Sequence, residues 1–466
     1  MTNRLFLAAT AAATLLAVGG SLGAAAPAVP VGTKGTAGVG DPLLPLSGDG
    51  GLHVRHYALT LKYQPKARRL DGTAVLSATA TQDLSGFDLD LSGLDVHQVT
   101  VDGMPVSYDR SGQKLEVGLG HPVSSGTDFE VAVDYGGTPH PLTDADGSSD
   151  GWTALPGSQG AFVAGEPQGA MTWFPCNGHP VDKSTYDITV TVPQGYTAVS
   201  NGVLRTQHTA AGRSTFSWHE TAPMAAYLAT ASVGRFDVRQ YWSGRLPVYT
   251  AVDPAEKADA DDVLDQLPAV IKWEQSLFGP YPFDAAGAIV MHDKDIGYAL
   301  ETQTRPVYDE APDMDTLVHE TAHQWFGDSV TVTRWQDIWL NEGFATYAEW
   351  MWDAAHGGAA PHDRLAQLYA KPATDELWSY PPGHPADLAH LFGVPSYARG
   401  AMTLQELREA VGDQAFFGIL KQWAATHKYG HGTTAEFEAL AARVSGKNLD
   451  PLFATWLYST GKPTKM

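Results

Sequence analysis

Two histidines four residues apart, His319 and His323, with Glu320 between them and Glu342 further on, constrain this chain more than any other feature. On a helix, positions i and i+4 lie one above the other on one face, so both imidazoles reach a single metal ion. Zinc suits two neutral imidazole nitrogens plus one carboxylate, and a catalytic site leaves its fourth position to water. Glu320 stands beside that position, where a carboxylate acts as general base. The pentapeptide therefore calls for a helix. Asp313 and Asp315 supply acidic residues at its N-terminus, and Gly327 falls where a capping glycine would end it. A second helix is expected over 335–352, packing through Ile338, Trp339, Phe344 and Tyr347, with Glu342 near its start in reach as third ligand.

Eighteen residues separate His323 from Glu342, which lies within Asn341-Glu342-Gly343-Phe344-Ala345. Pentapeptide, spacing and context together resemble the gluzincin aminopeptidases of peptidase family M1. The resemblance implies one zinc ion held by His319, His323 and Glu342, with Glu320 as the base.

Composition narrows the rest. A chain of 466 residues has room for two or three domains, and a hydrophobic content of 43% with 18% charged residues is that of a globular protein. Lys and Arg number 30 against 52 Asp and Glu, a formal net charge of −22, which argues against nucleic acid or an anionic membrane as partner. Residues 1–26 read as a secretory signal: Arg4, an apolar run over 5–18, and Ala24-Ala25-Ala26 for cleavage. The run is short of the ~20 residues a membrane span needs. Cys176 is the only cysteine, so no intramolecular disulfide forms, and it reads as a packing residue. An exported monomer without a membrane span is expected.

The Pro, Gly and Ala-rich stretch 27–50 reads as a linker. Alternation then begins, with Tyr57, Leu59, Leu61 and Tyr63 on one strand face and Tyr186, Ile188, Val190 and Val192 on another, giving an all-β domain over 51–246. From about 253 the pattern turns helical, so 247–466 is read as a mainly helical catalytic domain. The fold class is multidomain α+β, and the resemblance makes the first domain saddle-like and the second thermolysin-like. Many family members continue into a large helical C-terminal domain that this sequence does not contain.

Three further residues take roles only through the resemblance. Glu301, in Gly297-Tyr298-Ala299-Leu300-Glu301-Thr302, stands where the family's Gly-x-Met-Glu-Asn glutamate binds the substrate's free amino group; Tyr298, Leu300 and Thr302 depart from that pattern. Glu166 stands about ten residues before Pro175-Cys176, where a family Glu or Gln reaches the active site, and Gln168 is the alternative two residues on. Tyr397, in Tyr397-Ala398-Arg399-Gly400-Ala401, matches the family tyrosine that stabilises the oxyanion. The expected function is zinc-dependent removal of N-terminal residues from peptides with a free amino terminus. The alternatives are a zinc endopeptidase with an open cleft and a catalytically silent peptide-binding module.

Overall fold

The computed structural model describes residues 32–464 apart from Asp146 and Lys294, so the export segment expected over 1–26 lies outside the described residues. The alternation beginning at Leu52 becomes the strand Leu52–Gln64, which buries Leu52 and Val54 and then Tyr57, Leu59, Leu61 and Tyr63. A bulge between Val54 and His56 makes the switch from even to odd positions and keeps the apolar side chains on the core face. This strand lies inside an eight-stranded sheet, antiparallel to Arg69–Ala80 and parallel to Lys183–Pro193. Lys183–Pro193 buries Tyr186, Ile188, Val190 and Val192, and Tyr186 stacks on Tyr57 with ring centres 4.9 Å apart. A four-stranded and a five-stranded sheet complete the β-rich unit. Cys176 is buried there, its backbone N–H donating to the Asp90 carbonyl at 3.0 Å.

Two expectations about boundaries change. From residue 32 onward the stretch read as a linker is packed against both units. Thr33–Lys34 pairs with Leu84–Asp90, Leu44 is buried, and buried Asp49 accepts a hydrogen bond from Lys114 Nζ at 2.7 Å. Asp41, 2% exposed, accepts from the backbone N–H groups of Leu43, Leu44 and Trp335. Buried polar side chains, not an apolar face, fix this segment, so hydrophobic periodicity gives no sign of it. The strand Asp237–Ser243, expected in the β domain, pairs with Leu246–Val252 in the sheet of the second unit, which moves the division to just before Asp237. Strand pattern does not reveal which sheet a strand joins.

The second unit opens with a five-stranded mixed sheet. Parallel strands Leu246–Val252 and Ala286–Val290 are joined through helices Lys257–Leu264 and Leu267–Phe278, and the short strand Ala299–Leu300 lies at the sheet's edge. Helices Met314–Ala322, Trp339–Ala355, Gly400–Val411, Asp413–Thr426 and Thr434–Ser445 follow. Phe344 of Trp339–Ala355 packs on Phe437 of Thr434–Ser445 and on Phe326 in the turn after Met314–Ala322, 5.2 and 4.7 Å between ring centres. The multidomain α+β class is thus observed, a β-rich unit followed by a mainly helical one.

Candidate active site

Asp313 caps the first site helix, its Oδ1 accepting from the Thr316 N–H at 2.8 Å. Met314–Ala322 then ends well before Gly327, where the capping glycine was expected. Gly327 sits in the following turn at φ +137°, and a Cβ there would meet His323 Nδ1 at 3.1 Å. The glycine therefore leaves room for the imidazole rather than ending the helix. Where one helix was expected over 335–352, the chain makes a short 3₁₀ turn, Trp335–Asp337, before Trp339–Ala355.

Glu342, in the first turn of Trp339–Ala355, faces back across the first helix. Its Oε2 lies 3.3 Å from His319 Nε2 and 3.5 Å from His323 Nε2. One donor atom from each of the three residues falls within 4.8 Å of the others. Two imidazole nitrogens and one carboxylate oxygen converging from two packed helices form a donor set that fits zinc. His319 Nδ1 lies 2.5 Å from Glu349 Oε1, and His323 Nδ1 lies 3.0 Å from the Phe326 carbonyl. An acceptor at Nδ1 holds the proton there and frees Nε2 for a metal. Glu349 was not singled out from the sequence, although it lies seven residues, two helical turns, beyond Glu342.

Carboxylates crowd the space beside these ligands. Oxygens of Glu166, Glu301 and Glu342 come within 4.8 Å of one another, as do ligand atoms of Glu301, Glu320 and His323. The carboxylate in the site is that of Glu166; the alternative, Gln168, uses its backbone N–H to bind Asp150 at 2.9 Å. Glu301 follows the edge strand Ala299–Leu300. Gln324, next to His323, fixes it by donating to the Glu301 carbonyl at 3.1 Å and accepting from the Thr304 N–H at 2.7 Å. Nothing in the sequence pattern marks Gln324 for this task.

Buried oxygens of Glu166, Glu301 and Glu320 face no protein hydrogen-bond donor. Burial pushes the Glu166 carboxyl well up, and Glu301 and Glu342 push it further. Burial also raises Glu301, opposed by His323. Glu320 is pushed up to about 7 by burial, against the pull of His319 and His323. For Glu342 burial is outweighed by His323 and His319, which hold its carboxyl at about 2. Several acids sharing so little space favour positive charge arriving among them. A metal ion and a substrate ammonium are both of that sign.

Tyr397 lies in a π-helical turn, Pro395–Arg399, leading into Gly400–Val411. Its ring lies over that of His319, 6.0 Å between centres and 20° from parallel. Burial, with Glu342 and Glu166 beside it, raises the hydroxyl pKa well above the usual value, so the hydroxyl keeps its proton. The turn is placed by a close approach between Gly343 and Gly400: a Cβ on either would lie 2.9 Å from the Cα of the other. Arg399 is buried and serves structure, donating to the carbonyls of Trp456 at 2.8 Å and Ser459 at 2.7 Å.

A histidine pair on one helix, a glutamate ligand on the next and a free glutamate between the histidines define a zinc metallopeptidase centre. The Peptidase M1 N-terminal domain family matches residues 53–228, and the Peptidase family M1 domain matches residues 278–456. The chain belongs to peptidase family M1. It is 29% identical over 318 residues to Aminopeptidase N of Streptomyces lividans, covering 60% of this chain and 36% of that one. With Aminopeptidase M1 of Arabidopsis thaliana it shares 28% over 333 residues, 64% of this chain and 36% of the relative. The chain thus spans little more than a third of these relatives. The M1 zinc metallopeptidase of Deinococcus radiodurans superposes with a TM-score of 0.84 at 29% identity, over 92% of this chain and 98% of that one. A variant of that enzyme bound to a Tyr-Ser-Ala substrate superposes with a TM-score of 0.81 at 28% identity, over 92% of this chain and 99% of that one.

Proposed function

We propose that this protein is a secreted zinc aminopeptidase that removes single residues from the free N-terminus of peptides. The observation that carries the reading is the gathering of Glu166 and Glu301 beside Glu342, within 4.8 Å oxygen to oxygen. Two carboxylates so near a metal ligand fix a substrate ammonium about one residue from the reacting carbonyl. The chemistry zinc supplies when bound is a water acidified toward pKa ~7 and a polarised substrate carbonyl.

The chain's own residues do the rest. His319, His323 and Glu342 hold the ion. Glu320, buried beside the three ligands, takes the proton from the attacking water and returns it to the leaving amine. The Tyr397 hydroxyl donates to the oxygen on which negative charge develops, and its loss in Tyr397→Phe is expected to cost roughly 10²- to 10³-fold in kcat. The edge strand Ala299–Leu300 offers its outer backbone groups to an extended peptide. Export rests on the residue pattern of 1–26 alone.

The test uses the zinc-loaded protein, one peptide and its N-acetylated twin, with Glu320→Gln as the blank. Cleavage of the free-amine peptide alone, one residue from its end, is the expected result. Equal cleavage of both at internal bonds would make the protein an endopeptidase and remove the roles given to Glu166 and Glu301. No cleavage of either by zinc-replete protein would favour the silent binding module.

A further inference from the structure

Glu301, one half of the proposed ammonium clamp, is the first residue of a hairpin loop. Strands Ala299–Leu300 and Val307–Tyr308 pair antiparallel, and residues 301–306 connect them. Inside the loop the Arg305 N–H donates to the Thr302 carbonyl at 2.9 Å, closing a β-turn whose third residue, Thr304, stands at φ +68°. A turn with positive φ at that place ordinarily carries Gly or Asn, and a β-branched side chain is an outlier there. Resting on the aminopeptidase reading, we infer that Thr304 is a positioning residue: its hydroxyl holds this turn in the left-handed form and so sets Glu301 against Glu166 for the substrate ammonium.

The hydroxyl has the partners this role needs. The Gly202 N–H, on the β-rich unit, donates to Thr304 Oγ1 at 2.8 Å, and the hydroxyl donates in turn to the Gln303 carbonyl. Gly202 and Thr304 are both buried, and an unpaired N–H in the interior is costly. Glycine at 304 would suit the backbone better but could not accept this bond. That accounts for a threonine where the conformation disfavours one.

What the hydroxyl protects is the peptide group between Gln303 and Thr304. Its carbonyl accepts from Asn201 Nδ2 at 2.8 Å, and its N–H donates to Gln324 Oε1 at 2.7 Å. The same Gln324 amide donates to the Glu301 carbonyl at 3.1 Å. Turning this peptide over would bring residue 304 to an ordinary negative φ, at the loss of the bonds to Asn201 and Gln324. Gln324 would then lose one of the two bonds by which it holds the loop, and Glu301 would be free to shift. Thr304 thus reaches the substrate only through Glu301.

The experiment measures, by calorimetry, the affinity of the zinc-loaded Glu320→Gln protein for a tripeptide and for its N-acetylated twin. The ratio of the two affinities reads the ammonium clamp without any turnover. Thr304→Ser keeps the hydroxyl and should keep the ratio. Thr304→Val keeps the shape without the hydroxyl, and the ratio should fall roughly tenfold as the turn goes over. Thr304→Gly loses the bond but tolerates the backbone, so its ratio should lie between these. Zinc content should be the same in all of them. A side chain that merely fills space gives the reverse order, with Val nearest the unaltered residue and Gly furthest from it. That order, or a Ser variant as poor as Val, overturns the positioning role and leaves the aminopeptidase standing. Should Thr304→Val not fold, Thr304→Ala differs from Thr304→Ser only in the hydroxyl and must show the loss; an equal ratio in these two overturns the role. Equal affinity for both peptides with Thr304 in place removes the clamp and overturns both readings.

Discussion

At the scale of single residues, the two histidines of the candidate zinc site are supported in different ways. His323 rests on a backbone carbonyl, that of Phe326, which no side-chain substitution removes. His319 rests on Glu349, a half-buried side chain 2.5 Å from Nδ1. Glu349→Ala should leave the fold and the three ligands in place but free the His319 ring to turn and to shift its proton. The expected effect is zinc bound roughly 10- to 100-fold more weakly, read as faster transfer to a chelator, with Glu349→Gln partly restoring it because an amide oxygen still accepts. An unchanged chelation rate in Glu349→Ala would show that His319 needs no such support. The sequence could disclose the ligands because their spacing is a property of one helix and of one known pattern. It could not disclose Gln324, whose contacts reach the chain around Glu301 and Thr304. Glu166 lies between these cases: a count along the chain proposed it beside Gln168, and only the folded loop brings its carboxylate to Glu301.

At the scale of elements, the glycines of two separate motifs meet. Gly343 follows the ligand Glu342, Gly400 follows the turn bearing Tyr397, and their α-carbons sit where helices Trp339–Ala355 and Gly400–Val411 come together. Read singly, each looks like a weak point in a helix; together they let two backbones touch. Gly400→Ala would press a methyl to 2.9 Å from the Gly343 Cα, so the helices must separate. The expected stability cost is about 1–3 kcal/mol. The separation also carries Tyr397 away from His319, so kcat should fall more than KM rises, with zinc content unchanged. Loss of Tm at unaltered kcat would sever the link between this contact and Tyr397. Helix existence was legible here from apolar spacing, whereas the crossing was not, because a glycine pair carries no hydrophobic signal. The same blindness hid the packed segment 32–50, which is fastened through Asp41, Asp49 and Lys114 rather than through apolar side chains.

At the scale of the whole molecule, the proposed ammonium clamp is divided: Glu166 comes from the β-rich unit and Glu301 from the helical one. Their separation depends on a junction made largely of side chains bonded to backbone. Asp41 accepts from Trp335 N–H, Asn201 donates to the Gln303 carbonyl, Arg305 reaches the Gly202 carbonyl, and Lys183 donates to the carbonyls of Asp328, Ser329 and Gly430 at 2.7 to 3.1 Å. Lys183 makes the junction sensitive to pH. Burial lowers its ammonium to about 7 from an ordinary 10.5. Between those two values an unfolded chain holds a proton that the folded one has released, so stability rises with pH, by up to about 1.4 kcal/mol per unit from this residue. Below about 7 both states are protonated and the contribution is flat. Lys183→Met removes the slope and takes the donor from the Asp328 and Ser329 carbonyls, while the Gly430 carbonyl keeps the Thr331 N–H, so the variant should be less stable throughout. With both proteins saturated in zinc, the stability gap between unaltered protein and variant should widen from pH 7 to pH 9 in urea unfolding. A gap that stays constant over that range would mean the ammonium remains charged among its three carbonyls, and the junction would then be insensitive to pH.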